Sequence, residues 1–510
     1  MAAKTSLVAV LAALISSSVA AQQTGSGDLS ASGQDSRFSS GVNTTLTISD
    51  NINLSPNDGT SGSTIEIGPY IRYDVNRPRL QADLFYGLRY FDTTGRLGSE
   101  GLRHDVRSKL NAALWQDTFW LSGQAIVTEA VNDPINAGTV DASRQSGGRT
   151  TVQRYSIAPY FSDFLGDRDT AYTVGYGASY GKNSSRNEAQ ITQRIIGNLT
   201  RDRRVRGIGW AFDSEFTKSA FESSDATYNT TRFIAEALVR PNGKFRLGVG
   251  VQYDRISAVR DEQDNDSGFS PTVSALWSPN ERTNLSARVS NPYYGSTASA
   301  RLAYQPGRWA LGVDYSYGLT DNFSGALTQA DVSESLATGE RPGAQSAVVS
   351  RLLEEGIFPA FGTTITDGFV LSAISRTRRL GVNLGWTGKR NSFGVLASRV
   401  QSESQLLEVD LPVSVGSPRQ LEQTTLAFIY SRNLDRRTRA GLRLSTTRSR
   451  SQDQANASRL DIASVYWERQ ATKSVDVRVA YRFANQRATE GQANTYQEHA
   501  IVLGVNYRFQ

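Results

Sequence analysis

Two short stretches place reactive side chains at catalytic spacing. Gly177-Ala178-Ser179-Tyr180-Gly181 matches the G-x-S-x-G nucleophile pattern, which needs a strand–turn–helix context with a histidine and an acid later in the chain. His104 beside Asp105 offers half of an acid/base pair of the kind a lipid hydrolase would use. The acidic run Asp261-Glu262-Gln263-Asp264-Asn265-Asp266 supplies hard oxygen ligands for Ca²⁺, without the spacing of a known calcium loop. Arg201-Asp202-Arg203-Arg204 and the pair Arg436-Arg437 are basic runs that would suit a polyanion. Each also has a plainer reading. Ser179 belongs to an alternation through Tyr172, Val174, Tyr176, Ala178 and Tyr180, which makes it an inward-facing strand residue. His104 reads as a polar interface residue at a strand's outer end. The acidic run reads as a solvated external loop, and the basic runs as turn residues in water or against lipid phosphates. The plainer readings predict no catalytic residue, no cofactor, no metal and no nucleic-acid partner. Cysteine is absent, which excludes disulfides, thiolate metal sites and cysteine nucleophiles.

The elements that carry these residues are written in period two, the period of a strand with two different faces. Leu80, Ala82, Leu84, Tyr86, Leu88 and Tyr90 alternate with Gln81, Asp83, Phe85, Gly87 and Arg89. Phe245 to Tyr253, Trp309 to Tyr317 and Val475 to Phe483 repeat the pattern. In each, an aliphatic middle is flanked by aromatics, as a strand would be that meets lipid at its centre and the headgroup interface at its tips. Twenty-one Tyr, twenty Phe and seven Trp would supply such girdles. Tight turns such as Asn76-Arg77-Pro78, Pro241-Asn242-Gly243, Pro306-Gly307 and Asn433-Leu434-Asp435 alternate with longer polar stretches at 128–149, 258–267, 404–419 and 487–494. The fold class expected is all-β: a monomeric, transmembrane, antiparallel up-and-down β-barrel of about 22 strands, within a range of roughly 16 to 24. The segments around 190–198, 393–400 and 460–467 alternate poorly.

The domain plan follows. Lys4, the apolar run Leu7 to Ile15 and the small residues Ser18 to Ala21 predict a Sec-type signal peptide over 1–21. Residues 22–37 read as a flexible Gly/Ser/Gln-rich lead-in, and 38–510 as the barrel. A long connection at about 319–370 contains a possible short helix over Gln345 to Glu355 and reads either as a constriction in the lumen or as a surface loop. The last strand, with Val505, Tyr507 and Phe509 on its apolar face, resembles the closing strand of bacterial outer-membrane barrels. That resemblance implies an outer-membrane location in a Gram-negative bacterium, lipid contact and recognition by the barrel assembly machinery. Gln510 departs from the pattern, in which the aromatic is usually last.

The face opposite the apolar one carries charge. By alternation Arg89, Arg107, Lys109, Arg246, Arg443, Arg478, Arg482 and Arg508 point to the lumen, with Asp83, Asp254, Asp314 and Asp476 among them. Two readings fit: a water-filled passage favouring anionic solutes, or a mutually paired network that stiffens the wall.

Several segments together resemble the outer-membrane β-barrel proteins associated with the PEP-CTERM/exosortase system. They are Arg79 to Tyr90 with Phe91, Leu110 to Trp115 leading into Phe119-Trp120-Leu121, Asn132-Asp133-Pro134, Tyr155 to Tyr160, and Arg378-Arg379-Leu380 through Lys389-Arg390-Asn391. The resemblance implies a barrel and an association with exopolysaccharide and sorted surface proteins, and it brings no catalytic residues. The leading expectation is a non-enzymatic pore or scaffold for surface export, with polysaccharide or exported proteins as partners. The alternatives are a general anion-preferring diffusion porin and an outer-membrane hydrolase using Ser179 or His104.

Overall fold

Period-two alternation becomes extended strand along most of the chain that the computed structural model describes. Those residues are 36–57, 59–77, 79–94, 100–116, 118–131, 149–166, 169–184, 188–201, 207–222, 227–258, 265–280, 282–293, 295–320, 375–404, 420–451, 457–488 and 495–509. The leader, most of the lead-in, the helix expected over Gln345 to Glu355 and most of the long polar stretches lie outside the described residues.

Twenty-two strands result, with no helix among the described residues. The first eight are β1 (Ser36–Ser49), β2 (Gly62–Arg77), β3 (Leu80–Thr93), β4 (Glu100–Trp115), β5 (Phe119–Val131), β6 (Arg149–Leu165), β7 (Thr170–Asn183) and β8 (Glu188–Arg201). Next come β9 (Ile208–Phe221), β10 (Thr227–Asn242), β11 (Phe245–Ala258), β12 (Asn265–Asn280), β13 (Thr283–Ser290), β14 (Thr297–Tyr304) and β15 (Trp309–Thr320). The last seven are β16 (Ser375–Thr387), β17 (Asn391–Ser404), β18 (Gln420–Asn433), β19 (Thr438–Ser451), β20 (Ala457–Gln470), β21 (Val475–Ala488) and β22 (Tyr496–Phe509). Ser36 and Arg37 already pair with Val75 and Asp74, so the wall starts two residues before the expected start of the barrel at 38.

Each strand pairs antiparallel with the next, and β22 pairs back onto β1. The sheet therefore has no free edge, which is how strands satisfy their backbone groups in lipid. At about 4.8 Å per strand and the usual tilt, the wall is roughly 40 Å across. The architecture is the expected transmembrane up-and-down barrel.

Its outer face is apolar. Val174 and Tyr176 on β7, Val249 and Val251 on β11, Val479 and Tyr481 on β21, and Ile501 to Phe509 in alternation on β22 are all exposed. On a soluble protein so much exposed apolar surface would be a liability; on a barrel it is the lipid-facing band. Val505, Tyr507 and Phe509 form part of the closing seam, opposite Thr44, Val42 and Ser40. Gly41 is required there, because a Cβ on it would come within 2.3 Å of the Tyr507 carbonyl oxygen.

The poorly alternating segments are strands too, parts of β8, β17 and β20. In β8 the pattern is blurred because Gln193 faces outward beside Ile195 while Ile196 is buried on the inner face. Ladder pairing on both sides holds such strands in register where their own pattern is weak. Connections at the end that carries the C-terminus are short, such as 243–244 and 388–390, with Gly307 at φ +62° in the β14–β15 turn. Those at the other end run to 50–61, 132–148, 321–374 and 405–419.

Candidate functional site

Because side chains alternate across a strand, a barrel with an apolar outside has a polar inside, and the lumen wall is where this chain concentrates its charge. The ladder puts every sequence-predicted lumen charge on the inner face, but in different company. Arg89 on β3 lies between Glu66 on β2, at 3.8 Å, and Asp105 on β4, at 3.6 Å. Arg107 also holds Asp105, through Nε at 3.1 Å, so one carboxylate joins the two arginines. Lys109 stands opposite Asp83, which takes Arg72 Nη2 at 3.2 Å. Asp314 on β15 stands opposite Arg301 on β14, and Arg246 on β11 opposite Leu276.

The densest part of the wall is on β8 to β13. Arg194 Nε contacts Glu215 Oε1 at 3.0 Å, and Arg232 Nε contacts Asp254 Oδ1 at 2.9 Å. Gln252 donates to the second Asp254 oxygen at 2.5 Å, and Asn198 donates to Asp213. Arg288 on β13 reaches back along the wall to Glu236 on β10, at 3.0 Å, and to Asp213 on β9, at 3.6 Å. It lies past Gly248, Gly250 and Ser274, which stand between β13 and β10 in the ladder and leave room for the long side chain. Asp213, Glu236 and Asp254 are buried. Charges removed from water need partners, and here the partners are present.

The wall on β19 to β22 is built differently. Arg478 lies over the ring of Tyr466, with Cζ 5.0 Å from its centroid. Tyr466 in turn stands opposite Gly441, where a Cβ would come 2.5 Å from the Tyr466 ring. Arg443 and Arg482 stand opposite Ser464 on either side of it. Arg482 contacts Glu498 at 3.3 Å, and Glu498 also accepts from Ser49 Oγ at 2.8 Å. Nearer the C-terminal end, Arg508 contacts Asp476 at 2.8 Å. The structure thus places Arg478 over Tyr466, with Arg443 and Arg482 at nearby inner-face positions; Arg482 has Glu498, and Glu468, opposite Arg478, is held by Arg439 at 2.8 Å.

The proposed acid/base pair does not form. His104 and Asp105 are consecutive on β4 and face opposite ways: His104 shares a hydrogen bond with Tyr86 Oη at 3.0 Å on the lipid side, whereas Asp105 is buried on the inner side. Ser179 is buried at 3% exposure on the inner face, opposite Thr192 and Ser156. The chain has two histidines, and the other, His499, is also on the outer face, bonded to Tyr481 Oη at 2.6 Å. Neither histidine shares a face with Ser179. Most of the acidic run lies outside the described residues, as does most of Arg201 to Arg204.

Comparison with known proteins adds no functional assignment. No protein-family model matches the chain, and no curated protein matches it. Solved structures do. The siderophore receptor PirA from Acinetobacter baumannii is similar at 11% identity, over 92% of this chain and 80% of that one, with a TM-score of 0.47. The FrpB iron transporter from Neisseria meningitidis is similar at 11% identity, over 92% and 82%, with a TM-score of 0.44. The ferric-catecholate import receptor Fiu from E. coli K12 is similar at 10% identity, over 92% and 81%, with a TM-score of 0.48. The similarity is one of overall barrel build, and no functional inference rests on it.

Inner-face residues that alternation on the clearest strands does not reach are Glu66, Arg194, Asp213, Glu215, Arg232, Glu236, Arg288 and Glu498. A signal for some was present: Trp210, Phe212 and Phe216 mark the outward face of β9 and so assign Asp213 and Glu215 to the inner one. For Arg194 it was masked by the mixed pattern of β8.

Proposed function

We propose that the protein is a non-enzymatic outer-membrane barrel that serves as a pore or scaffold in surface export, handling exopolysaccharide or sorted surface proteins. The observation that carries this reading is the closed 22-stranded wall with a charge-bearing inner face. Barrels of 16 to 18 strands already enclose an aqueous channel, so the ring is large enough for a polymer or an extended chain. The resemblance to barrels of the PEP-CTERM/exosortase system supports the export assignment. In this reading the short-turn end faces the periplasm and the long connections face outward, with the closing strand presented to the assembly machinery. Deleting the gene is expected to lower surface polysaccharide or sorted protein while leaving uptake of small solutes unchanged. Normal surface material in the deletion strain would reject the assignment.

A second reading is a general diffusion porin with anion preference. Arg443, Arg478 and Arg482 on the β19–β21 wall favour it, since rings of like charge set pore selectivity. Here the expected result is a reversal potential on the anion side in a salt gradient, together with slower uptake of small anions by the deletion strain.

A further inference from the structure

On the outer face of β19, β20 and β21, at the end with the long connections, three arginines stand side by side. The ladder pairs Arg448 directly with Arg459, and Arg459 directly with Arg487. All three are exposed, and they share the outward face with Leu444, Val465 and Tyr481. Directly opposed residues have Cβ atoms about 5 Å apart, so the three side chains leave the sheet within roughly 10 Å of one another. Like charges in that arrangement destabilise a sheet unless an anion sits among them. Arg450, the next outward position on β19, adds a fourth charge.

Among the described residues, the protein supplies little counter-charge. Asp461 takes Arg459 Nε at 3.0 Å and, among the described residues, is the one carboxylate on the outward face of these three strands. Glu422 on β18 stands opposite Arg450 but is held by Arg399 at 2.8 Å. The neighbouring sector is better matched: Arg376 and Arg378 lie over Tyr317 and Tyr315, at 6.0 and 5.8 Å, in a cleft of about 460 Å³ that also presents Glu403 and Glu422.

Position selects the anion. Toward the short-turn end, the outward residues of β21 are Phe483, Tyr481 and Val479, and those of β20 are Ala463 and Val465. The guanidinium groups therefore stand where acyl chains end and headgroups begin. Guanidinium is planar, always charged and matched to phosphate oxygens in pairs of hydrogen bonds. Basic clusters just beyond the apolar band recruit anionic headgroups. We propose that Arg448, Arg459 and Arg487 bind the phosphorylated headgroup of a lipid in the leaflet at the long-loop end. The site is independent of what crosses the lumen.

The test uses the refolded full-length barrel in detergent with bis-phosphorylated lipid A or its dephosphorylated counterpart, and native mass spectrometry of bound lipid. The variant is Arg448→Gln/Arg459→Gln/Arg487→Gln; the control is Lys182→Gln/Lys218→Gln/Arg255→Gln, which removes as many outward basic groups from β7, β9 and β11. Wild type and control should retain the phosphorylated lipid alike, and the variant should lose affinity by on the order of tenfold or more. If the triple variant fails to assemble, Arg448→Gln and Arg487→Gln alone should each weaken binding roughly three- to fivefold. Unchanged retention by the variants, or equal retention of dephosphorylated lipid A by wild type, would overturn the site. Displacement of the lipid by inorganic phosphate at matched concentration would reassign it to free phosphate.

Discussion

The two charged stretches of the lumen wall both pair their charges, but only the second adds an arginine over an aromatic ring. On β8 to β13, buried carboxylates and arginines interlock: Glu215 with Arg194, Asp254 with Arg232, and Glu236 and Asp213 with Arg288. On β19 to β22, Arg478 lies over Tyr466, Arg443 and Arg482 flank Ser464, and Arg482 contacts Glu498. The first arrangement pairs its carboxylates with arginines across neighbouring strands. In the second, Arg482 has Glu498, Arg508 has Asp476, and Arg478 has the face of the Tyr466 ring. The sequence leaves open an anion-favouring passage and a paired network; ion pairs are seen in both stretches, and the passage stays a proposal.

The comparison is broken most severely by moving charge through the wall. Arg478 and Val479 are neighbours on β21 and face opposite ways. Val479→Arg puts the same side chain into lipid and should cost about 2–4 kcal/mol, measured by urea unfolding of the barrel in vesicles. Glu215→Ala should cost about 2–3 kcal/mol, because it leaves Arg194, at 9% side-chain exposure, with the Thr217 hydroxyl at 3.3 Å in place of a carboxylate; a fully buried pair would lose about 3–5 kcal/mol. Arg478→Gln loses only a ring contact and should change stability by less than about 1 kcal/mol. An equal cost for the last two would erase the distinction between the walls.

The smallest effect concerns the β18–β19 turn, outside the membrane span. The Arg437 backbone N–H donates to the Asp435 carboxylate at 2.6 Å and holds its pKa below the ordinary value, aided by Thr438. A carboxylate so lowered adds stability above its unfolded pKa and loses it as pH falls through the folded one. Asp435→Asn should therefore lower the unfolding midpoint slightly at neutral pH, with the difference vanishing in acid. A difference that grew in acid would contradict the turn's geometry.

Strand periodicity made the barrel legible because closure requires a consistent outer face, and Leu80 to Tyr90 or Val475 to Phe483 state that face outright. The site was legible only where its own strand was clean. Arg478 and Arg482 follow directly from Val477, Val479 and Tyr481, whereas Arg194 is hidden by Gln193 and Ile196. Pairing lies beyond any one strand's pattern. That Arg288 reaches Glu236 across two intervening strands depends on register and on Gly248, Gly250 and Ser274 between them. The His104–Asp105 proposal failed for the same physical reason that exposed the barrel: consecutive residues in a strand face opposite sides.

The most direct test is the conductance and reversal potential of the refolded protein in a planar bilayer under a salt gradient. The pore form of the proposal predicts a steady current, and the porin reading adds an anion preference that falls in Arg443→Gln/Arg478→Gln/Arg482→Gln and rises in Glu236→Gln. No current in any form would contradict a conduit and leave the barrel as a sealed scaffold.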